Sequence, residues 1–514
     1  MKSISLCLLC SLTFSCLSLS AKKDHEPPNI IFIMSDDHTS QAWGIYGGVL
    51  EEYAVNQNIK RLASEGVVLD NAFCTNSICV PSRASILTGQ YSHKNQVFTL
   101  TDALDPNRQN VAQLVQKSGY QTALIGKWHL KDKPSGFDHF NILPGQGRYH
   151  NPVLKNNCNW EYGNKGGKEY KGFSADVIMD ESLKWLDQRE KEKPFMLMTH
   201  FKATHEPFDY PDRFKNLFKN DNLPEPVSLL DFNSKQSGRS FDGQILEILA
   251  ERWRQASLKD NDLYPGLPFD TEGLDAVMSR KKTYQKFVKD FLKSAAAIDD
   301  NIGRMLTYLD ENGLTENTLI IYTSDQGYFL GEHGMFDKRM FLEESARMPF
   351  VIRYPKEIPA AKRVKDIILN IDFPSLLLDY AGIPKPVGFQ GKSFRKNLII
   401  ETPDNWRDKM YYRYYAHALN RPAHLGVRSD RFKLIFYYGL SLGLEGTYTD
   451  QATPAAWELY DLEKDPLELK NQYHNPEFKT IIQQLKKDLT KLRIKYGDAQ
   501  TDGAEMKKVI QENW

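Results

Sequence analysis

The 514 residues exceed what a single hydrophobic core usually supports, so more than one domain is expected. Lys and Arg total 66 and Asp and Glu also total 66, a balance that gives no electrostatic case for a nucleic-acid partner or an anionic membrane surface. Beyond the N-terminal region no run approaches the roughly 20 apolar residues of a spanning helix, so no transmembrane segment is expected.

The chain begins with Lys2 and the apolar stretch ISLCLLCSLTFSCLSLS, then reaches Ala21 and the polar KKDHEPP. This pattern predicts a signal peptide over residues 1–21 and a secreted or periplasmic protein. Cys16 offers lipid attachment as an alternative, which Thr13 disfavours. Cys7, Cys10 and Cys16 fall in this segment, leaving Cys74, Cys79 and Cys158. An odd number in an exported chain means at least one thiol is unpaired, intermolecular or chemically altered.

Four apolar runs follow, each ending abruptly in polar residues: NIIFIMSDDH from Asn29, TALIGKWHL from Thr122, PFMLMTHFKATHEP from Pro194 and TLIIYTSDQG from Thr318. Continuous apolar runs of this length fit strands covered on both faces, as in a parallel sheet. Helical patterns separate them: NVAQLVQKSGY, SADVIMDESLKWLDQ, and the series Phe291, Ala295, Ile298, Ile302, Met305 and Leu309, with Gly313 as its stop. The alternation predicts an α/β domain over residues 28–384, a large, mostly parallel sheet between helices. Residues 219–282 lack strand runs and read as a helical or irregular insertion over the sheet's edge. Residues 385–514 carry short aromatic strands, MYYRYYAHA, HLGVRSDRFKLIFYY and WELYDL, then an amphipathic helix, which predicts a small antiparallel α+β subdomain.

Reactive residues sit at the C-terminal ends of all four predicted strands: Asp36 and Asp37, Lys127 and His129, His205, and Asp325 and Gln326. Ligands of open α/β sheets bind beyond those ends, so these groups are expected to converge. Adjacent carboxylates stay ionised most easily around a cation, and an all-oxygen set suits Ca²⁺ or Mg²⁺ and not zinc. An Asp-Asp pair alone also reads as a helix cap. In CVPSRASILTG, Pro81 places Cys79 just ahead of a helix N-terminus, an anion-attracting position, and Arg83 adds a forked cation one turn in. A Cys74–Cys79 disulfide or an inert core cysteine are the other readings of Cys79.

Cys-x-Pro-Ser-Arg followed by ASILTGQ resembles the signature of the type I sulfatases, within the alkaline-phosphatase superfamily. GYQTALIGKWHL, HEPF, YTSDQGYFLGEHGMFDK, RSDRFKLI and ELYDLEKDP resemble segments of the same family in the same order. The resemblance implies an alkaline-phosphatase-like fold and conversion of Cys79 to formylglycine (3-oxoalanine) by a sulfatase-maturating, formylglycine-generating enzyme. It implies that the hydrated aldehyde attacks sulfur, with the metal held by Asp36, Asp37, Asp325, Gln326 and residue 79. Lys127 and Lys338 resemble the lysines that bind sulfate oxygens with Arg83. His205 resembles the acid that protonates the departing sugar oxygen, and His129 the group that takes the proton from the second hydroxyl as sulfate is expelled. Gln326 departs from the Asn or His often found there, and its longer reach leaves its ligation open. His38 and His333 read as packing or supporting residues near these motifs, and Cys74 with Cys158 as the remaining disulfide.

PGQGRYHNP and RPAHLGVRSD are similar to segments of bacterial carbohydrate sulfatases, particularly N-acetylglucosamine-6-sulfatases acting on host glycans. Tyr149, His150 and His424 are the candidates they offer for a sugar pocket. The expected partner is a sulfated carbohydrate such as a glycosaminoglycan or mucin glycan. A phosphomonoester or phosphonate ester hydrolase, and a glycan-binding protein without turnover, are the competing readings.

Overall fold

In the computed structural model, which describes residues 27–232, 243–259 and 263–514, the apolar runs form the middle of an eight-stranded sheet. The signal peptide and Cys16 lie outside the described residues. In chain order the strands are β1 (Asn29–Asp36), β2 (Val67–Leu69), β3 (Gln121–Lys127), β4 (His139–Leu143), β5 (Phe195–Thr204), β6 (Thr318–Ser324), β7 (Phe350–Arg353) and β8 (Lys362–Val364). Their order across the sheet is β8-β2-β7-β6-β1-β5-β3-β4. From β6 to β4 every pairing is parallel, and β7 runs antiparallel to both its neighbours.

Residues of these strands alternate between two cores. Ile30, Phe32, Met34, Leu124, Met196, Leu319 and Ile321 face one side, while Ile31, Ile33, Ile125, Leu197, Ile320 and Tyr322 face the other. With helices over both faces the central strands β1, β3, β5 and β6 have no solvated side, which is why the sequence reads there as unbroken apolar runs. Helices α1 (Cys79–Thr88) and α2 (Val111–Lys117) supply residues to the first core, and α3 (Ser174–Gln188) and the long α5 (Ala276–Glu311) to the second. Asp275 caps α5 by accepting the Met278 N–H at 2.8 Å. The helix ends with Gly313 at φ +64° and Leu314 N–H reaching back to Leu309 O at 2.9 Å, a Schellman closure.

The segment before α5 contains α4 (Leu246–Leu258). Its Leu246, Leu249 and Trp253 pack with Tyr284 and Phe287 of α5 and with Phe208, Tyr328 and Phe336. The segment thus lies against the long helix and the loops beyond the strand ends, because its apolar residues match that surface and not an edge strand.

Strands β9 (Lys409–Tyr414), β10 (His424–Ser429), β11 (Phe432–Tyr437) and β12 (Ala456–Asp461) form a separate antiparallel sheet in sequence order, covered by α6 (Lys479–Tyr496). Its apolar residues join the first core, so Leu425, Leu434 and Leu489 belong to one cluster with Phe32 and Phe341. Arg428 pairs with Glu343 at 2.9 Å, and Lys433 pairs with Glu343 at 2.8 Å and Glu468 at 2.7 Å. The loop before α1 is held from the same side: Ser77 N–H donates to the Tyr412 hydroxyl at 3.1 Å, and Arg413 N–H to Thr75 O at 3.1 Å.

Cys74, Cys79 and Cys158 are all free, and the expected Cys74–Cys158 bridge is absent. Cys74 is fully buried in the first core whereas Cys158 is exposed, so the two thiols occupy environments that a disulfide cannot join without rebuilding the core. No described helix is long and apolar enough to cross a membrane.

Candidate active site

The parallel strands deliver their polar ends to one place. The β1–β5 register shifts between Met34 and Asp36, and this irregularity turns the end of β1 so that Asp36 and Asp37 follow each other into the site. Asp37 sits at φ +63° and His129, just past β3, at φ +62°. Non-glycine residues adopt this left-handed conformation at a cost, which surrounding contacts must hold in place. Lys127 ends β3, His205 follows β5, and Asp325 and Gln326 follow β6. Cys79 is the first residue of α1 and Arg83 lies one turn on.

Carboxylate oxygens of Asp36, Asp37 and Asp325 lie within 4.8 Å of one another. Cationic side chains answer them. Arg83 donates through Nε to Asp325 Oδ2 at 2.8 Å, through Nη2 to Asp36 Oδ1 at 3.3 Å and through Nη1 to Lys127 O at 2.9 Å. Lys127 pairs with Asp36 and donates to Gln146 Oε1 at 2.5 Å. Lys338 Nζ stands 2.6 Å from Asp37 Oδ2 and 3.4 Å from Cys79 Sγ. All these groups are buried except Gln146, which is half-buried.

Burial pushes the Asp37 carboxyl up to about 6, with Lys338 opposing and Asp36 adding to the rise. Burial likewise lifts Asp325 to about 7, Arg83 opposing and the other two carboxylates reinforcing it. At Asp36 burial also acts upward, yet Lys127, His205, Arg83 and Lys338 together carry it well below the usual carboxylate range. Two of three carboxylates thus lack enough positive charge. Gln326 donates its amide nitrogen to Asp37, and its Oε1 is buried with no partner. Three carboxylates and an orphaned amide oxygen form a hard donor set that fits Ca²⁺ or Mg²⁺. The Cys79 thiol is raised by burial and by the three carboxylates, against Lys338, so it is held protonated and is a poor nucleophile as it stands.

His205 donates Nδ1–H to Glu206 O at 2.7 Å, which turns Nε2 toward Asp37 Oδ2 at 3.7 Å. Burial, followed by Lys127, lowers its basicity. His129 is lowered in the same way, and its Nδ1 is buried without a partner.

The three sugar-pocket candidates fare differently. The Tyr149 hydroxyl donates to His205 O at 2.6 Å and the ring stacks on Phe173, so Tyr149 supports the site from behind. His150 is half exposed and pairs with Asp209 at 3.2 Å. His424 is not at a site surface: it is fully buried among Tyr412, Tyr414 and Tyr437, accepts the Phe341 N–H at 3.2 Å and donates to Pro422 O at 2.8 Å. A histidine in a tyrosine-rich strand is here a core residue whose two nitrogens are both satisfied. His38 is also a packing residue, bonded to the Tyr322 hydroxyl beside Trp43, and the His333 N–H donates to Ser228 Oγ at 2.9 Å.

Two residues at the site were not anticipated. Gln146 holds Lys127 from the PGQGRYHNP loop, from which only Tyr149 and His150 were read as site residues. Lys202, on β5, is buried with its ammonium 4.7 Å from the Tyr149 ring centroid, and burial, reinforced by Lys127, lowers it to about 7. A lysine inside an otherwise apolar strand was the available clue.

Residues 28–383 match the Sulfatase family model, and residues 331–495 match the model described as N-sulphoglucosamine sulphohydrolase, C-terminal. An N-acetylglucosamine-6-O-sulfatase from Bacteroides thetaiotaomicron is 37% identical, covering 97% of this chain and 92% of its own. A protein solved in complex with its substrate D-glucosamine-2-N,6-O-disulfate superimposes with a TM-score of 0.80 at 36% identity, covering 92% of this chain and 99% of that one. A phosphonate monoester hydrolase from Silicibacter pomeroyi shares the fold at 19% identity, with a TM-score of 0.68 over 91% of this chain and 96% of that one. With the family model spanning most of the length and a relative above one-third identity over nearly all of it, the chain belongs to the sulfatase family, sulfuric ester hydrolases of alkaline-phosphatase-like fold.

Proposed function

We propose that this sulfatase removes a sulfate monoester from a carbohydrate, with 6-O-sulfated N-acetylglucosamine as its substrate unit, and that Cys79 acts after conversion to formylglycine. The observation that carries the mechanism is the arrangement of Asp36, Asp37, Asp325 and the orphaned Gln326 Oε1 around Cys79, beside Arg83, Lys127 and Lys338. The preference for a 6-O-sulfated amino sugar rests on the 37% identity with the Bacteroides enzyme.

Asp36, Asp37, Asp325, Gln326 and residue 79 would hold a divalent cation, Ca²⁺ or Mg²⁺, which supplies electrophilic stabilisation of anionic oxygen when bound. Formylglycine, produced from Cys79 by a maturating enzyme, supplies a hydrated aldehyde as nucleophile where the buried thiol is a poor one. Arg83, Lys127 and Lys338 bind the sulfate oxygens and share the charge that builds in the transition state. His205, protonated on both ring nitrogens beside the bound anionic sulfate, delivers its Nε2 proton to the departing sugar oxygen and is left as the neutral ring, its Nδ1–H being committed to Glu206 O. His129 receives the proton released at residue 79 as sulfate leaves. We also propose export, with residues 1–21 removed.

Sulfate release from N-acetylglucosamine 6-sulfate and from other defined sulfated mono- and disaccharides, with modified mature enzyme and Ca²⁺, tests this reading. Turnover confined to other positions would overturn the substrate assignment. Higher kcat/KM on 4-nitrophenyl phosphate than on 4-nitrophenyl sulfate would overturn the reaction class, and sugar binding without turnover on any sulfate ester would leave a binding protein.

A further inference from the structure

The segment that precedes α5 reaches two of the proposed catalytic residues, His205, which faces the departing oxygen, and Lys338, which binds the sulfate oxygens. Arg252, in α4, donates through Nη1 to Glu206 Oε2 at 2.7 Å, and the Tyr264 hydroxyl donates to Glu206 Oε1 at 2.5 Å. Both bonds are charge-assisted and end on the residue directly after His205. The Glu206 carbonyl in turn accepts from His205 Nδ1 at 2.7 Å. The chain of contacts Arg252 and Tyr264, Glu206, His205 thus fixes which ring nitrogen points into the site.

The same segment grips the other side. Phe336 N–H donates to Gln244 O at 2.8 Å, the Gln244 side-chain amide donates to the Lys338 carbonyl, and Ile245 pairs with Met335. The Arg252 guanidinium also lies 5.2 Å from the Phe336 ring centroid, so one side chain touches both arms.

We infer that this segment is a positioning element for the catalytic site, in which Arg252 and Tyr264 orient His205 through Glu206 while Gln244 seats Lys338. The inference rests on the proposed role of His205 as the acid. Arg252 is 44% exposed and Glu206 20%, so their pair adds little to stability, and its effect lies in orientation. Orientation matters here because a displacement of about 1 Å in a proton donor costs on the order of 100-fold in rate.

The test compares Arg252→Ala, Arg252→Lys, Tyr264→Phe and His205→Ala on two esters: N-acetylglucosamine 6-sulfate, whose alcohol needs a proton to depart, and 4-nitrophenyl sulfate, whose phenolate does not. Arg252→Ala and Tyr264→Phe are expected to lower kcat on the sugar sulfate by about tenfold or more, with KM little changed and the aryl sulfate within about twofold. Arg252→Lys is expected to restore part of the loss. Equal losses on both esters, or none, would overturn the inference. If His205→Ala is selective for the sugar ester and the two clamp variants are not, the positioning role alone fails; if His205→Ala affects both esters alike, the acid assignment fails and takes the inference with it. Should Arg252→Ala not fold, Tyr264→Phe decides, since it removes a single hydroxyl.

Discussion

At the scale of single residues, Cys79 illustrates how surroundings decide what a side chain is able to do. Its thiol is buried beside three carboxylates, so the unmodified residue is held in its least reactive form. Cys79→Ala is therefore expected to reduce sulfate release to background, more than about a thousandfold, while shifting the melting temperature little, since it removes one atom from the end of a helix. Retained turnover would remove residue 79 from the mechanism. Asp325→Asn leaves the same shape with less charge, and calorimetric titration is expected to show Ca²⁺ affinity weakened by about tenfold or more. An unchanged affinity would break the proposed donor set.

The same scale shows why some residues were legible and others were not. Asp36, Asp37 and Asp325 stood out because carboxylates rarely close a fully buried strand without a partner. His424 misled because burial is invisible in a polar letter: Tyr412, Tyr414 and Tyr437, read only as parts of aromatic strands, turn out to enclose it. Cys158 was paired by elimination, an argument that holds no information about which thiol faces solvent.

At the scale of elements, β1, β3, β5 and β6 were readable because each is covered on both faces, which forces an unbroken apolar run. Strands β2, β7 and β8 have three, four and three residues and gave no such run. Contacts between distant elements were equally hidden. Asp299, in the middle of α5, accepts the N–H groups of Asn58 and Ile59 at 3.1 and 2.9 Å, so one helix caps the first turn of the helix Gln57–Ser64. The local N-cap, Asn56, makes no side-chain cap of its own. Asp299→Ala leaves the buried Ile59 N–H and the half-buried Asn58 N–H unpaired and is expected to cost about 1–3 kcal/mol, read as a lower denaturation midpoint in urea with an unchanged slope. A shift of a few tenths would show that water replaces the carboxylate.

At the scale of the whole molecule, burial makes folding sensitive to acid. Burial, assisted by Arg83, lowers the His200 ring to about 3, and burial alone takes His424 to about 4 against a bond to Pro422 that opposes it. Both rings are neutral in the folded protein, whereas the unfolded chain takes up protons near pH 6.5. The unfolded state therefore binds more protons below that pH, and the contribution to stability is complete above about 6.5 and lost as pH falls toward 4 and then 3. Each ring accounts for about 1.4 kcal/mol per pH unit in that window. Imidazole NMR signals of these two residues are expected to stay those of the neutral ring down to pH 5, and a midpoint near 6.5 for either would refute the argument.

The contacts from Tyr412 to Ser77 and from Arg413 to Thr75 place a clock in the polypeptide. More than 300 positions of intervening sequence separate the two partners in each bond, so the stretch carrying Cys79 is held in place only when the last quarter of the chain docks. For the proposed conversion of Cys79, that docking sets the end of the interval in which a modifying enzyme reaches the thiol. On that proposal, a thiol left unconverted is locked away once the closing sheet is in place, and a batch of protein folded too soon carries that defect for its lifetime.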